Sequence, residues 1–268
     1  CAHAGPVTSR RLPTASHIPP TLALTRREIV RFLRQRNRVI GALLTPIVFW
    51  LLLGLGLGRS FAGPGAGEDY LRYFFPGVLV MIVLFTAIFS TISIIEDRRE
   101  GFLQSVLISP AGTRAIVLAK IIGGAMLALG QAMLFMLLAP LAGVSLSIPG
   151  AIAGIGVLLM LGVMLTALGL LVAWPMSSTQ GFHVVMNLLL MPMWMLCGAV
   201  FPMRPDTALP IKAIMFANPL SYGQSALRQA LGEAPSLPIA MWISLPASVG
   251  FTVFIVILTL RVADRPRP

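Results

Sequence analysis

The sequence predicts an all-α polytopic membrane protein, with six transmembrane helices led by an amphipathic interfacial helix, on three observations. Apolar residues make up 57% of the 268 and charged residues 11%, with a mean hydropathy of +0.88, whereas a soluble domain carries roughly 25% charge. Positions 121–203 form 83 consecutive residues without Lys, Arg, Asp or Glu, about four times the ~20 that one helix needs to cross the hydrocarbon core. Finally, the basic residues are shared unevenly among the segments that the apolar runs separate.

Taken in chain order, residues 1–20 hold Pro6, Pro13, Pro19 and Pro20 and no apolar run, the composition of a disordered tail without the apolar region of a cleaved secretory signal. An amino-terminal Cys1 suits a lipidated mature protein, but an incompletely recorded start explains it more simply. Over 21–38 the pattern turns helical. At 100° per residue Leu22, Ile29, Val30, Phe32 and Leu33 share a broad arc, and Arg27, Arg31, Arg34 and Arg38 form a narrow strip opposite. A helix lying in the membrane interface is expected, with Arg26 and Arg36 snorkelling from the apolar arc to the headgroups. The alternative is a plain basic flank that sets topology.

Turn-forming and charged residues cut 39–260 into six spans, 39–58, 74–95, 115–140, 149–173, 182–201 and 239–260, each of 20 to 26 residues. That length suits helices and exceeds a barrel strand, and a helix satisfies its own backbone where lipid cannot. In the fourth span Gly154, Gly162 and Gly169, with Ala151, Ala153 and Ala167, predict close packing against neighbours.

Lys and Arg accumulate in cytoplasmic segments. With the amino terminus inside, 15 basic residues fall on the cytosolic side, and five, Arg59, Arg72, Arg204, Lys212 and Arg228, fall outside. Both termini, including the tail 261–268, are therefore expected in the cytosol. The net charge of +11 then reflects topology and attraction to anionic lipid. There is no basic soluble domain to bind nucleic acid.

Between the second and third spans lies a charged insert, 96–110. Glu96, Asp97, Arg98, Arg99, Glu100 and, further on, Arg114 are six of the chain's 29 charged residues. Phe102, Leu103, Val106 and Leu107 recur at spacings of three and four, which predicts a short amphipathic helix stopping near Pro110. A solvated charge run is the bland alternative; the apolar stripe favours a docking helix.

These residues resemble a family. Asp97-Arg98, Gly101-Phe102-Leu103, Leu107 to Pro110, Arg114 to Leu118, Lys120 and Gly123-Gly124 are similar to the cytoplasmic loop and following span of bacterial ABC type-2 permeases, most of all the drug-export branch. Met186-Asn187 through Gly198 to Pro202, and Asn218-Pro219 through Tyr222-Gly223 to Arg228, fit the same family, and the likeness covers 21 to about 260. Many relatives carry more acidic residues after the Asp-Arg pair than the Arg99, Glu100 and Gln104 found here.

The resemblance implies a type-2 ABC exporter permease fold in the bacterial inner membrane. It implies pairing with a second permease subunit, identical or related, and with two copies of an ABC ATP-binding subunit that bind ATP and Mg. The chain itself is not expected to be an enzyme or to hold a cofactor, since neither of its two lysines follows a glycine, as a phosphate-binding loop requires. The insert 96–110 becomes the coupling helix, with Asp97 and Gly101 among the coupling residues, Arg98, Arg99 and Glu100 as charged contacts and Phe102 and Leu103 as its apolar anchor. The helix 21–38 becomes the connecting helix.

No Lys, Arg, Asp or Glu lies at the middle of any span, with Lys120 near a cytosolic end, so an ion-coupled secondary transporter is disfavoured. Hydrophobic or amphiphilic cargo is expected, drug-like or, alternatively, polysaccharide or lipid-linked. Met186, Met191, Met193 and Met195 around Pro192 predict a kinked, adaptable surface suited to such cargo, or ordinary core filling. Gln131 and Asn187 are candidates to line the path, although hydrogen bonds between helices are the commoner use of such side chains. The outer segment 204–236 predicts two short helices about Asn218-Pro219; the resemblance makes them a re-entrant hairpin, with Tyr222 and with Arg228 and Glu233 holding it at the surface. His3, His17 and His183 are isolated, so no metal site is expected, and Cys197 is read as a reduced thiol. The four tryptophans, Trp50, Trp174, Trp194 and Trp242, are read as interfacial or packing aromatics.

Overall fold

A computed structural model describes residues 20–57, 70–101 and 112–264. In chain order its helices are α1 (Pro20–Arg34), α2 (Arg36–Leu57), α3 (Tyr70–Arg99), α4 (Gly112–Met136), α5 (Ile148–Ala173), α6 (Thr179–Trp194), α7 (Leu209–Ala217), α8 (Pro219–Ala230) and α9 (Met241–Ala263). A 3₁₀ turn, Ala139–Ala142, follows α4, and α6 runs on into a π-helical turn, Met195–Ala199. Among the described residues every regular element is helical, as lipid demands of a backbone that must pair with itself.

Five helices, α3, α4, α5, α6 with its π turn, and α9, are long and apolar enough to cross a membrane. A sixth span is reached when α1 and α2 are counted together. These two meet at a 64° bend. The continuous helix expected over 21–38 is thus cut at Gln35, whose N–H bonds Phe32 O at 2.9 Å, and Arg36 and Arg38 open α2. Nothing local enforces the break, which has no proline or glycine. It is set by α1 packing sideways onto α4, where Gly123 lets Glu28 Cβ come within 3.2 Å of the place a side chain would take.

α3 is the hub, packed on α2, α4, α5 and α6. From Phe74 to Ile95 it is buried on nearly every face, as a helix apolar all round must be. Small residues set the spacing: a Cβ on Gly162 would meet Ala125 Cα at 3.2 Å, and one on Gly169 would meet Thr91 Oγ1 at 2.9 Å. Trp50 from α2, Phe75 and Phe135 close one end of the core, with Phe75 and Phe135 stacked at 5.0 Å and Trp50 edge-on to Phe135 at 5.3 Å. Trp50, Trp174 and Trp194 pack inside, while Trp242 is exposed.

Candidate functional site

The carboxyl end of α3 gathers charge. Asp97, 1% exposed, receives Arg27 Nη2 at 3.1 Å and Arg31 Nη1 at 2.5 Å on one oxygen and Lys120 Nζ at 2.7 Å on the other. Lys120 also reaches Glu28 Oε2 at 3.1 Å, and Arg27 Nη1 reaches Glu28 Oε1 at 3.0 Å. Arg31 Nη2 extends the cluster to Glu96 at 3.0 Å and to Glu100 at 3.6 Å. Ser93 Oγ accepts from Lys120 at 2.8 Å and donates to Glu28 at 2.9 Å.

Two carboxylates so near a helix carboxyl end oppose its dipole, and burying them is costly unless cations compensate. The compensation comes from α1 and α4. The cluster therefore ties three elements together at the end of the bundle where α3 closes at Gly101.

The structure adds to the reading of α1. From its strip of arginines, Arg27 and Arg31 turn onto α3, and Thr25, Glu28 and Phe32 are buried. Leu22, Val30 and Leu33 of the apolar arc are exposed. Glu28 is the decisive residue that sequence reasoning passed over. The available signal was its place as the single acid in a 15-residue helix bearing four arginines, one turn before Phe32 on the same face.

The segment 96–110 does not begin as a separate helix: residues 96–99 complete α3, and Glu100 and Gly101 form a turn in which Gly101 takes φ +74°. Phe102 and Leu103 lie outside the described residues. Arg98 is turned inward, donating Nη1 to Met176 O at 2.6 Å and Nη2 to Trp174 O, where α5 has ended. Arg99 Nε donates to Ser177 O at 3.0 Å. Glu100 stays largely exposed.

Of the candidate path residues, Gln131 is buried and accepts from Thr86 Oγ1 at 2.7 Å. Asn187 is exposed on α6, Met195 is 44% exposed and Met191 is half-buried. The interhelical hydrogen bond favoured for Asn187 is not formed among the described residues. Span five is irregular after Pro192, in the π turn, where Gly198 takes φ +84°.

That turn sits at the opposite end of the bundle and is held by side-chain donors. Tyr73 OH bonds Gly198 O at 2.9 Å, Tyr70 OH bonds Val200 O at 3.3 Å, and Trp194 Nε1 bonds Gly77 O at 2.9 Å. Asn218 caps α8 by accepting from Leu220 N–H and donates Nδ2 to Met193 O at 2.6 Å; Pro219, with no N–H to lose, follows at the first helical position. Tyr222 OH bonds Phe216 O at 2.8 Å, tying α8 to α7. Arg228 and Glu233 do not sit at the surface: Arg228 is 1% exposed, lies 4.3 Å over the Tyr73 ring and donates to Tyr73 O and Ala234 O, and Glu233 pairs with Arg72 at 2.8 Å.

Residues 20–231 match the sequence model of a family described as ABC-2 type transporter. The chain is similar to a Cyanophora paradoxa protein named as a transport permease, ycf38, at 28% identity over 102 residues. These are 38% of this chain and 35% of that protein, so the chain spans about a third of that relative's length. It is also similar to Nodulation protein J of Sinorhizobium fredii, 27% identical over 210 residues, 77% of this chain and 78% of that protein.

Proposed function

The chain thus belongs to the ABC-2 type transporter family, and from that premise we propose that it is the membrane permease subunit of an ATP-driven exporter in a bacterial inner membrane, with both termini cytosolic. Two ATP-binding subunits supply ATP and Mg, and a second permease copy or relative completes the assembly. Hydrophobic or amphiphilic cargo of the drug or antibiotic kind, as in the drug-export branch, leaves the cytoplasm or inner leaflet.

The observation that carries this reading is the buried charge cluster. Asp97 receives cations from α1 and α4 at 2.5–3.1 Å, so a push on the segment after Gly101 reaches three elements at once. A cluster holding three cations and four carboxylates has alternative pairings of similar energy, which suits an element that meets its partner differently in two states. The ATPase docks on 102–110, with Phe102 and Leu103 as the apolar anchor and Glu100 as an exposed charge. Exposed Val184 and Leu188 on α6 and Met195 at the start of its π turn present an apolar face for cargo.

The test is reconstitution with the ATP-binding subunit in proteoliposomes. Export of an apolar fluorescent compound is expected to require ATP, and Phe102→Asp is expected to leave insertion and ATP hydrolysis intact while abolishing export. Export without the ATPase, or full export by Phe102→Asp, refutes the assignment.

A further inference from the structure

Thr86, Ser90, Ser93 and Asp97 recur along α3 at spacings of four, three and four, and Lys120, Gly124, Leu127 and Gln131 recur along α4 at the same spacings. Each set occupies one helical face, and the faces meet. Lys120 Nζ bonds Asp97 and Ser93, Ser90 Oγ lies 2.7 Å from where a Cβ on Gly124 would stand, and Thr86 bonds Gln131. From Lys120 to Gln131 the seam climbs about 16 Å at ~1.5 Å per residue, roughly half of the ~30 Å hydrocarbon core.

Such a seam is unusual between two apolar helices, and its polar atoms are incompletely paired by protein. Gln131 Nε2 and Thr166 Oγ1 are buried without a partner among the described residues. Thr166, on α5, points into the seam, its Oγ1 2.9 Å from the same place beside Gly124. Buried polar groups almost always find a protein group or an ordered water, and one left alone costs about 1–3 kcal/mol. A cavity of ≈ 10 Å³, the volume of about one water, lies between α1 and the lower part of the seam, lined by Glu28 and Phe32 of α1 and by Ser90, Lys120, Gly124 and Leu127, and it stops short of Gln131. Arg31, Phe89 and Ser90 on its rim are partly exposed.

We propose that the α3–α4 seam is a water-binding cleft, entered beside α1 and rising to Gln131. Ordered waters are its ligands, one held by the hydroxyls of Ser90 and Thr166, which crowd against Gly124, and another by the amide of Gln131. Water there lets the ion pairs at the base of the seam exchange partners without passing through a dry, unpaired state.

Hydroxyl radicals generated from water in place by an X-ray pulse, in the full-length, inserted chain, test this, because they are short-lived and oxidise a thiol only where water lies beside it. The chain with Cys1→Ser, whose remaining Cys197 is fully buried, gives the background rate and carries each variant. Ser90→Cys and Gln131→Cys are expected to react at least about tenfold faster than Leu134→Cys, which stands 60% exposed on the apolar face of α4. Thr86→Cys, at the same level, replaces Gln131→Cys should that variant fail to insert. Modification of both positions at the Leu134→Cys rate overturns the proposal, and modification of Ser90→Cys alone overturns the claim that the cleft reaches Gln131.

Discussion

The two ends of the helical bundle are fastened by different chemistry. Where α1 meets α3 and α4, three cations face four carboxylates. At the far end, tyrosine, tryptophan, asparagine and arginine donors are aimed at backbone carbonyls of the π turn, of the turn after α8 and of α3. The far end serves a backbone whose helical pairing is interrupted in the π turn and after α8, and there Arg228 serves two carbonyls at once. At the charged end partners are shared, Asp97 meeting three cations and Arg31 three carboxylates. One end is therefore fastened by directed bonds to carbonyls and the other by a network of shared ion pairs.

Breaking the charged end is expected to have the largest effect. Asp97→Ala removes the carboxylate shared by Arg27, Arg31 and Lys120, and stranding buried charge costs about 3–5 kcal/mol, read as a lowered unfolding midpoint in detergent. Replacing Asp97 and Lys120 together by Ala and Met is expected to recover part of that loss, and no recovery would mean that the pairings are not interchangeable. At the carbonyl end, Arg228→Met removes the donor to Ala234 O and the side-chain bond to Tyr73 O, at about 1–3 kcal/mol for a carbonyl left buried and unpaired. Its loss is expected to be insensitive to salt. The smallest effect sharpens the contrast between buried and exposed charge. Arg114–Asp264, at 2.9 Å, is an ion pair whose side chains are 74% and 34% exposed, so Arg114→Gln is expected to cost under about 1 kcal/mol, a difference that vanishes near 1 M salt.

Most of the spanning architecture was legible because each apolar run exceeds the length that lipid requires. Span four could be read from 149–173 and is α5 over Ile148–Ala173, with Gly162 and Gly169 at close approaches to α4 and α3. The break at Gln35 was not legible, since its cause is the docking of α1 on α4 and lies outside the local sequence. Glu28 was hidden for the same reason: its partner Lys120 is 92 positions away, and an amphipathic projection that sorts residues by polarity places an acid among arginines without saying that it faces inward. Arg98 and Arg99 carried the right charge for a partner surface, yet the acceptors they meet are carbonyls of the α5–α6 turn, which no residue type announces. Gly198 stood in a stretch already marked by Pro192, but its left-handed conformation depends on the donors of α3, which only the fold brings near.

Arg98 carries a last consequence. By seizing the carbonyls of Trp174 and Met176, it splices the tail of α3 to the tail of α5, two rods 76 and 78 positions apart in the chain. On the proposed function, torque delivered at Gly101 would be geared to a second rod, and the stroke of a cytosolic motor would be divided between two pistons before it enters the bilayer.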